Sequence, residues 1–216
     1  MTDTNLTTEH AVRLCKLYSL QLNEIDRSWL DSCVLLAEAS KLRHPDLLPK
    51  QLHNKIESSL GLTKVLATKD IDPIFLLNKE ELHELITLVG STLLHKEISH
   101  VILSTKLKLL KSSIGEDIYN FALRKGKLYS LNTSSSQTWN ENVLSKQTIL
   151  NAGLSSILNI VKKPSDSIEQ RFWLKLPISL KQTIPESDTD YSNQASRNKI
   201  IKLLRDYNAK CLPLIS

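Results

Sequence analysis

A chain of 216 residues, 41% hydrophobic and 24% charged, can bury a core without disulfide or metal staples. Five glycines, seven prolines and 5% aromatics are too few for a strand-rich fold with its many turns, so a mainly α, irregular multi-helix fold is expected. Twenty-eight Lys and Arg against 23 Asp and Glu leave a net charge of +5, a mild excess that suits an acidic protein partner and lacks the concentrated stripe expected of a nucleic-acid binder.

Residues 8–22 read as a helix, with Thr8 as cap and Val12, Cys15, Leu20 and Leu22 at roughly helical spacing. A second helix is expected from Ser28 to about Ser40, with Ser28 capping and Trp29, Cys33, Leu36 and Ala37 on one face. His44-Pro45-Asp46-Leu47-Leu48-Pro49 is a turn. Pro49 suits the start of the next helix, whose stripe is Leu52, Ile56 and Leu60 and whose stop is Gly61. Asn78 and Glu81 have the spacing of a capping box for a helix with Leu82, Leu85, Ile86, Val89 and Leu93 on one stripe. Gly90 inside that helix costs about 1 kcal/mol against Ala, which suggests a close approach by another helix.

Leu103, Leu107, Leu110, Ile114, Ile118 and Phe121 then form a regular stripe, read as two consecutive helices with Gly115 at the joint and Gly126 as the final cap. Residues 130–138 read as a Ser-rich linker or mobile loop, and a single domain of 216 residues is expected, with a possible subdivision at the 130–140 loop. Further helices are expected around 145–161, 168–174 and 193–210. The loop before the last contains Pro177, Pro185 and the polar run 186–190. The last helix puts Ile200, Leu203, Leu204, Tyr207 and Cys211 on one face, with Asp206 four residues before Lys210.

Chemistry-bearing motifs are sparse. The glycines at 61, 90, 115, 126 and 153 are isolated, so no phosphate-cradling loop is expected. His83-Glu84 begins a helical zinc-protease pattern, but position 87 is Thr; His95 and His100 are five apart and diverge on a helix. Cys15, Cys33 and Cys211 have no metal spacing and read as reduced, semi-buried apolar residues. No catalytic residue, cofactor, metal or small-molecule substrate is expected. The start Met1-Thr2-Asp3-Thr4 is not that of a signal peptide, and no uncharged apolar run nears the roughly 20 residues that span a bilayer. A cytoplasmic protein is expected. The basic residues Arg197, Lys199, Lys202, Arg205 and Lys210 read as a solvated helix face. Arg124, Lys125 and Lys127 complement a helix C-terminus and are candidate partner contacts; Trp139, beside the Ser-rich loop, is a candidate exposed anchor.

Ile114-Gly115-Glu116-Asp117-Ile118-Tyr119-Asn120-Phe121-Ala122-Leu123-Arg124 resembles the LGEExYxFALR segment of the SctK (YscK) family of type III secretion proteins. The helix Lys79–His95 and the His44–Pro49 turn are similar to features that precede that segment in the family, so the resemblance covers about residues 44–125. It implies a non-enzymatic adaptor of the cytoplasmic sorting platform. Such an adaptor would link an SctQ-like pod protein to the cytoplasmic domain of an SctD-like inner-membrane ring protein, and reach the membrane only through these partners. A secretion chaperone or regulator, a nucleic-acid-binding protein and a helical enzyme with a site assembled from distant residues remain alternatives.

Overall fold

The computed structural model describes residues 11–13, 15, 22–41, 49–62, 71–101, 103–129, 144–161, 164–183 and 194–209. No strand occurs among them, and the fold is mainly α as expected. The helices are α1 (Val34–Ser40), α2 (Lys50–Ser59), α3 (Lys79–Leu93), α4 (His95–Ser99), α5 (Ser104–Ile114), α6 (Glu116–Lys125), α7 (Lys146–Leu158), α8 (Asp166–Leu174), α9 (Ile178–Thr183) and α10 (Gln194–Tyr207). Tight 3-10 turns lie at Leu22–Glu24, Arg27–Ser32, Pro73–Leu76 and Gly126–Tyr129. The Ser-rich loop, Trp139, the turn at 44–48, the polar run 186–190, Lys210 and Cys211 lie outside the described residues. The chain gathers into two compact units. One comprises Met1–Leu82, Lys163–Gln182 and Pro213–Ile215; the other comprises His83–Lys162, Thr183–Leu212 and Ser216.

In the first unit, Ile25, Cys33, Leu36, Ala39, Ile56 and Leu174 form an apolar cluster. The helix expected over Ser28–Ser40 is broken in two. Arg27–Ser32 winds as a 3-10 helix, and Cys33 is extended (φ −145°, ψ 107°) before α1 begins. Tertiary hydrogen bonds hold the tight turn. Asp26, not Ser28, is its cap, accepting from the Ser28 amide at 3.0 Å. Ser28 Oγ accepts from the Ile178 amide at 2.9 Å, and the Trp29 indole N–H donates to the Leu176 carbonyl at 2.9 Å. Further on, Asp72 caps Pro73–Leu76, and the run Ile74, Phe75, Leu76, Leu77 is buried throughout. Phe75 meets Phe172 edge to face at 5.2 Å, a favoured aromatic geometry. The expected capping box of α3 is present: Asn78 Oδ1 accepts from the Glu81 amide at 2.8 Å, and Glu81 Oε2 accepts from the Asn78 amide at 3.0 Å. Helix α9 forms where the sequence suggested only loop; its first turn closes with the Leu180 amide donating to the Pro177 carbonyl at 2.9 Å.

In the second unit, α3 is buried on every side from Leu85 to Thr92, not on one stripe. Fully burying each of its Leu, Ile and Val side chains contributes about 1.5–3 kcal/mol. Two of its buried hydroxyls are satisfied within the helix: Thr87 Oγ1 donates to the His83 carbonyl at 2.7 Å and Thr92 Oγ1 to the Leu88 carbonyl at 2.8 Å. Gly90 performs the role its position suggested. A Cβ there would lie 2.0 Å from the Ile149 carbonyl oxygen, and a Cβ on Gly153 would lie 2.0 Å from that of Ile86, so α3 and α7 touch backbone to backbone.

Gly115 joins α5 to α6 with φ +91°, a conformation open to glycine. Leu110, Ile114 and Ile118 are buried along the expected stripe, Leu107 and Phe121 are half-buried, and Leu103 is 60% exposed. Leu103 stands before the first turn in extended conformation, where helical periodicity no longer sets its direction. Gly126 does not cap α6 in the left-handed way expected. Its φ is −54°, and its small size instead admits His95, whose Cβ would lie 2.4 Å from an added methyl. Ile200, Leu203 and Leu204 of α10 are buried together, as their spacing indicated.

Candidate interaction surface

The residues that could carry chemistry are engaged in packing or scattered. Half-buried His83 has Thr87 Oγ1 at 3.4 Å from Nδ1. His95 Nδ1 lies 3.1 Å from the Thr92 carbonyl and can donate to it. Cys33 sits in the first unit's apolar cluster, whereas Cys15, expected on an apolar face, is exposed. Trp173 is buried and its indole N–H donates to Glu169 at 3.2 Å; Trp29 is half-buried, with Lys181 Nζ 5.9 Å from its ring. Among the described residues no three His, Cys, Asp or Glu side chains gather as a metal set. On α10, Lys199, Lys202 and Arg205 are exposed opposite the buried Ile200, Leu203 and Leu204, as the sequence suggested, whereas Arg197, expected on the same solvated face, is half-buried.

The first unit holds a polar centre that sequence reasoning missed. Lys79 Nζ pairs with Asp26 at 3.3 Å, and the Lys79 amide donates to Glu24 at 2.8 Å. Glu81 accepts from Arg13 through both carboxylate oxygens, at 2.9 Å from Nη2. Burial alone would raise the Glu81 carboxyl; the Arg13 hydrogen bond, the Asn78 amide and the charges of Arg13 and Lys175 hold it below its ordinary range. Lys175 is half-buried as a residue, but its ammonium points inward and donates to the carbonyls of Phe75 at 3.1 Å and Leu77 at 2.6 Å. Burial pushes this amine down to about 8 against the pull of the Glu24 and Glu81 carboxylates. Its signal lay in the segment Phe172-Trp173-Leu174-Lys175-Leu176, a lone cation inside an apolar run. This arrangement fixes the Pro73–Leu76 turn against α8.

The predicted contact residues lie in the second unit, where α6 runs into the Gly126–Tyr129 turn. Arg124, Lys125 and Lys127 are all exposed. Lys125 Nζ stands 5.9 Å from the Phe121 ring centroid. Exposed Leu123 and Leu128 flank the three cations, and neither was singled out from the sequence. Beneath them the turn is anchored. Tyr129 is buried, and its hydroxyl donates to Asp206. Burial, with the Asp206 bond and charge, pushes that phenol up to about 12. Phe121 lies between Tyr129, stacked at 6.2 Å, and Tyr207, edge-on at 5.3 Å.

The segment Ile114–Arg124 has an inner and an outer side, with Asn120 and Phe121 half-buried between them. Ile114, Ile118, Tyr119 and Ala122 are buried, while Glu116, Asp117, Leu123 and Arg124 are exposed. The family model described as YOP proteins translocation protein K (YscK) matches residues 7–216. This chain belongs to the YscK family. Its membership covers essentially the whole sequence and makes it a type III secretion protein. No curated protein and no solved structure matches the chain. In this YscK-family member four of the eleven residues of the resembling segment are core. No helix among the described residues is long and apolar enough to cross a membrane.

Proposed function

We propose that this chain is a non-enzymatic adaptor of the cytoplasmic sorting platform beneath the injectisome. It links an SctQ-like pod protein to the cytoplasmic domain of an SctD-like ring protein and is held at the inner membrane through them. The observation that carries this reading is the match to the YscK family over residues 7–216. Three exposed cations, two at the end of α6 and one on the anchored turn that follows, support it, because exposed charge of one sign steers a partner of the other. The use of His83, His95 and Cys33 in packing supports recognition over chemistry.

The test is affinity purification from the native host. Pod and ring proteins are expected together on the tagged chain, and each is expected to lose the other when the chain is deleted. Retention of a pod–ring complex in the deletion strain would sink the adaptor role.

A further inference from the structure

We propose that the corner Leu123–Leu128 docks an acidic segment of a partner protein that also carries an apolar side chain to cover Leu128. The inference rests on the adaptor reading for the identity of the partner, not for the chemistry of the contact.

Leu128 is 75% exposed and Leu123 39%. An isolated exposed leucine is ordinary. Here Arg124, Lys125 and Lys127 stand between the two leucines in sequence, where α6 meets an anchored turn, and no carboxylate pairs with any of them among the described residues. Glu116, at the other end of α6, is taken by Lys111 at 2.9 Å. Three cations with two uncovered leucines fit carboxylates beside an apolar side chain, the make-up of an acidic amphipathic segment.

The corner is also held in shape before any partner arrives. Gly126 is pressed against His95 so closely that a methyl would collide with it. Tyr129 is tied to Asp206, and Phe121 is set between two tyrosines. A surface already in its bound shape loses less entropy on association.

Other occupants fit less well. A single nucleic-acid strand would stack on exposed aromatics. The aromatics here, Phe121 and Tyr129, are half-buried and buried. An interfacial membrane helix lays a full apolar stripe into lipid. On α6 that stripe, including Ile118 and Ala122, faces the core.

The experiment measures binding of the purified full chain to the cognate pod protein and to the cognate ring-protein cytoplasmic domain, at low and high salt. Four proteins are compared: wild type, the pair Leu123→Ser/Leu128→Ser, the triple Arg124→Glu/Lys125→Glu/Lys127→Glu, and the control pair Arg27→Glu/Lys55→Glu at two exposed positions of the first unit. Thermal melting verifies that each is folded. The serine pair is expected to weaken one partner about tenfold or more, the range of interface anchors. The charge triple is expected to weaken the same partner and flatten its salt dependence, and the control pair to have little effect. Equal binding by wild type and all variants overturns the surface and leaves the adaptor reading intact.

If wild type binds neither partner, the adaptor reading fails. The surface is then decided by photocrosslinking from position 128 in secreting cells. A product carrying an acidic protein segment, and lost in the charge triple, supports it; no such product overturns it. Binding to phosphatidylglycerol vesicles or single-stranded DNA that the serine pair abolishes also overturns it.

Discussion

At Lys175 the folded chain buries an ammonium, with two backbone carbonyls as acceptors. Its folded value is near 8, against an ordinary 10.5. Between those values the unfolded chain keeps the proton and the folded chain releases it, so stability rises with pH through that window. The gain is at most about 1.4 kcal/mol per pH unit. Tyr129 acts oppositely, but only above pH 10, since its phenol moves from 10.0 to about 12. Urea unfolding at pH 8, 9 and 10 is therefore expected to show the rise, and Lys175→Met to remove it. A flat wild-type profile would mean that the amine is solvated. Single residues of this kind were only partly legible in the sequence. Asn78 and Glu81 announced their mutual hydrogen bonds by spacing, because a capping box is local. Lys175 needed partners about a hundred residues away, and Leu128 needed the knowledge that α6 ends at a clamped glycine.

Between elements, the contact of α3 with α7 is made by two glycines, and the two substitutions that test it are specific. Gly90→Ala and Gly153→Ala each place a methyl 2.0 Å from a backbone carbonyl oxygen. Each is expected to cost about 3 kcal/mol or more, since a helix backbone yields less readily than a side chain. That outweighs the gain of about 1 kcal/mol in helix propensity. Gly115→Ala has open space but φ +91° with ψ 142°, and should cost about 1–3 kcal/mol for backbone conformation alone. Urea titration compares the three; a stabilised Gly90→Ala would refute the close crossing. The α5–α6 joint and the apolar sides of α6 and α10 were legible because period and glycine placement are local. The split at Cys33 was not, because Ser28 and Trp29 are held by residues 176–178. Helix α9 was missed because it is short and follows a proline. The all-round burial of α3 had a signal that a stripe reading overlooks: residues 85–94 carry no charge.

Over the whole molecule, each unit is assembled from separated stretches of chain. The first takes Met1–Leu82 and then Lys163–Gln182. Leu174, from the late stretch, belongs to the cluster with Ile25, Leu36 and Ile56. A chain shortened to residues 1–162 is therefore expected to lose cooperative unfolding of its N-terminal part. Hydrogen exchange read over Val34–Ser59 would show it, and undiminished protection there would contradict the need for α8. The order of synthesis gives this interleaving its consequence. While the ribosome is still translating codons before 163, the N-terminal stretch has Leu36 and Ile56 waiting without their late neighbour. Maturation of that half is timed by the arrival of its far end, so a prematurely terminated polypeptide would reach quality control with an open hydrophobic seat.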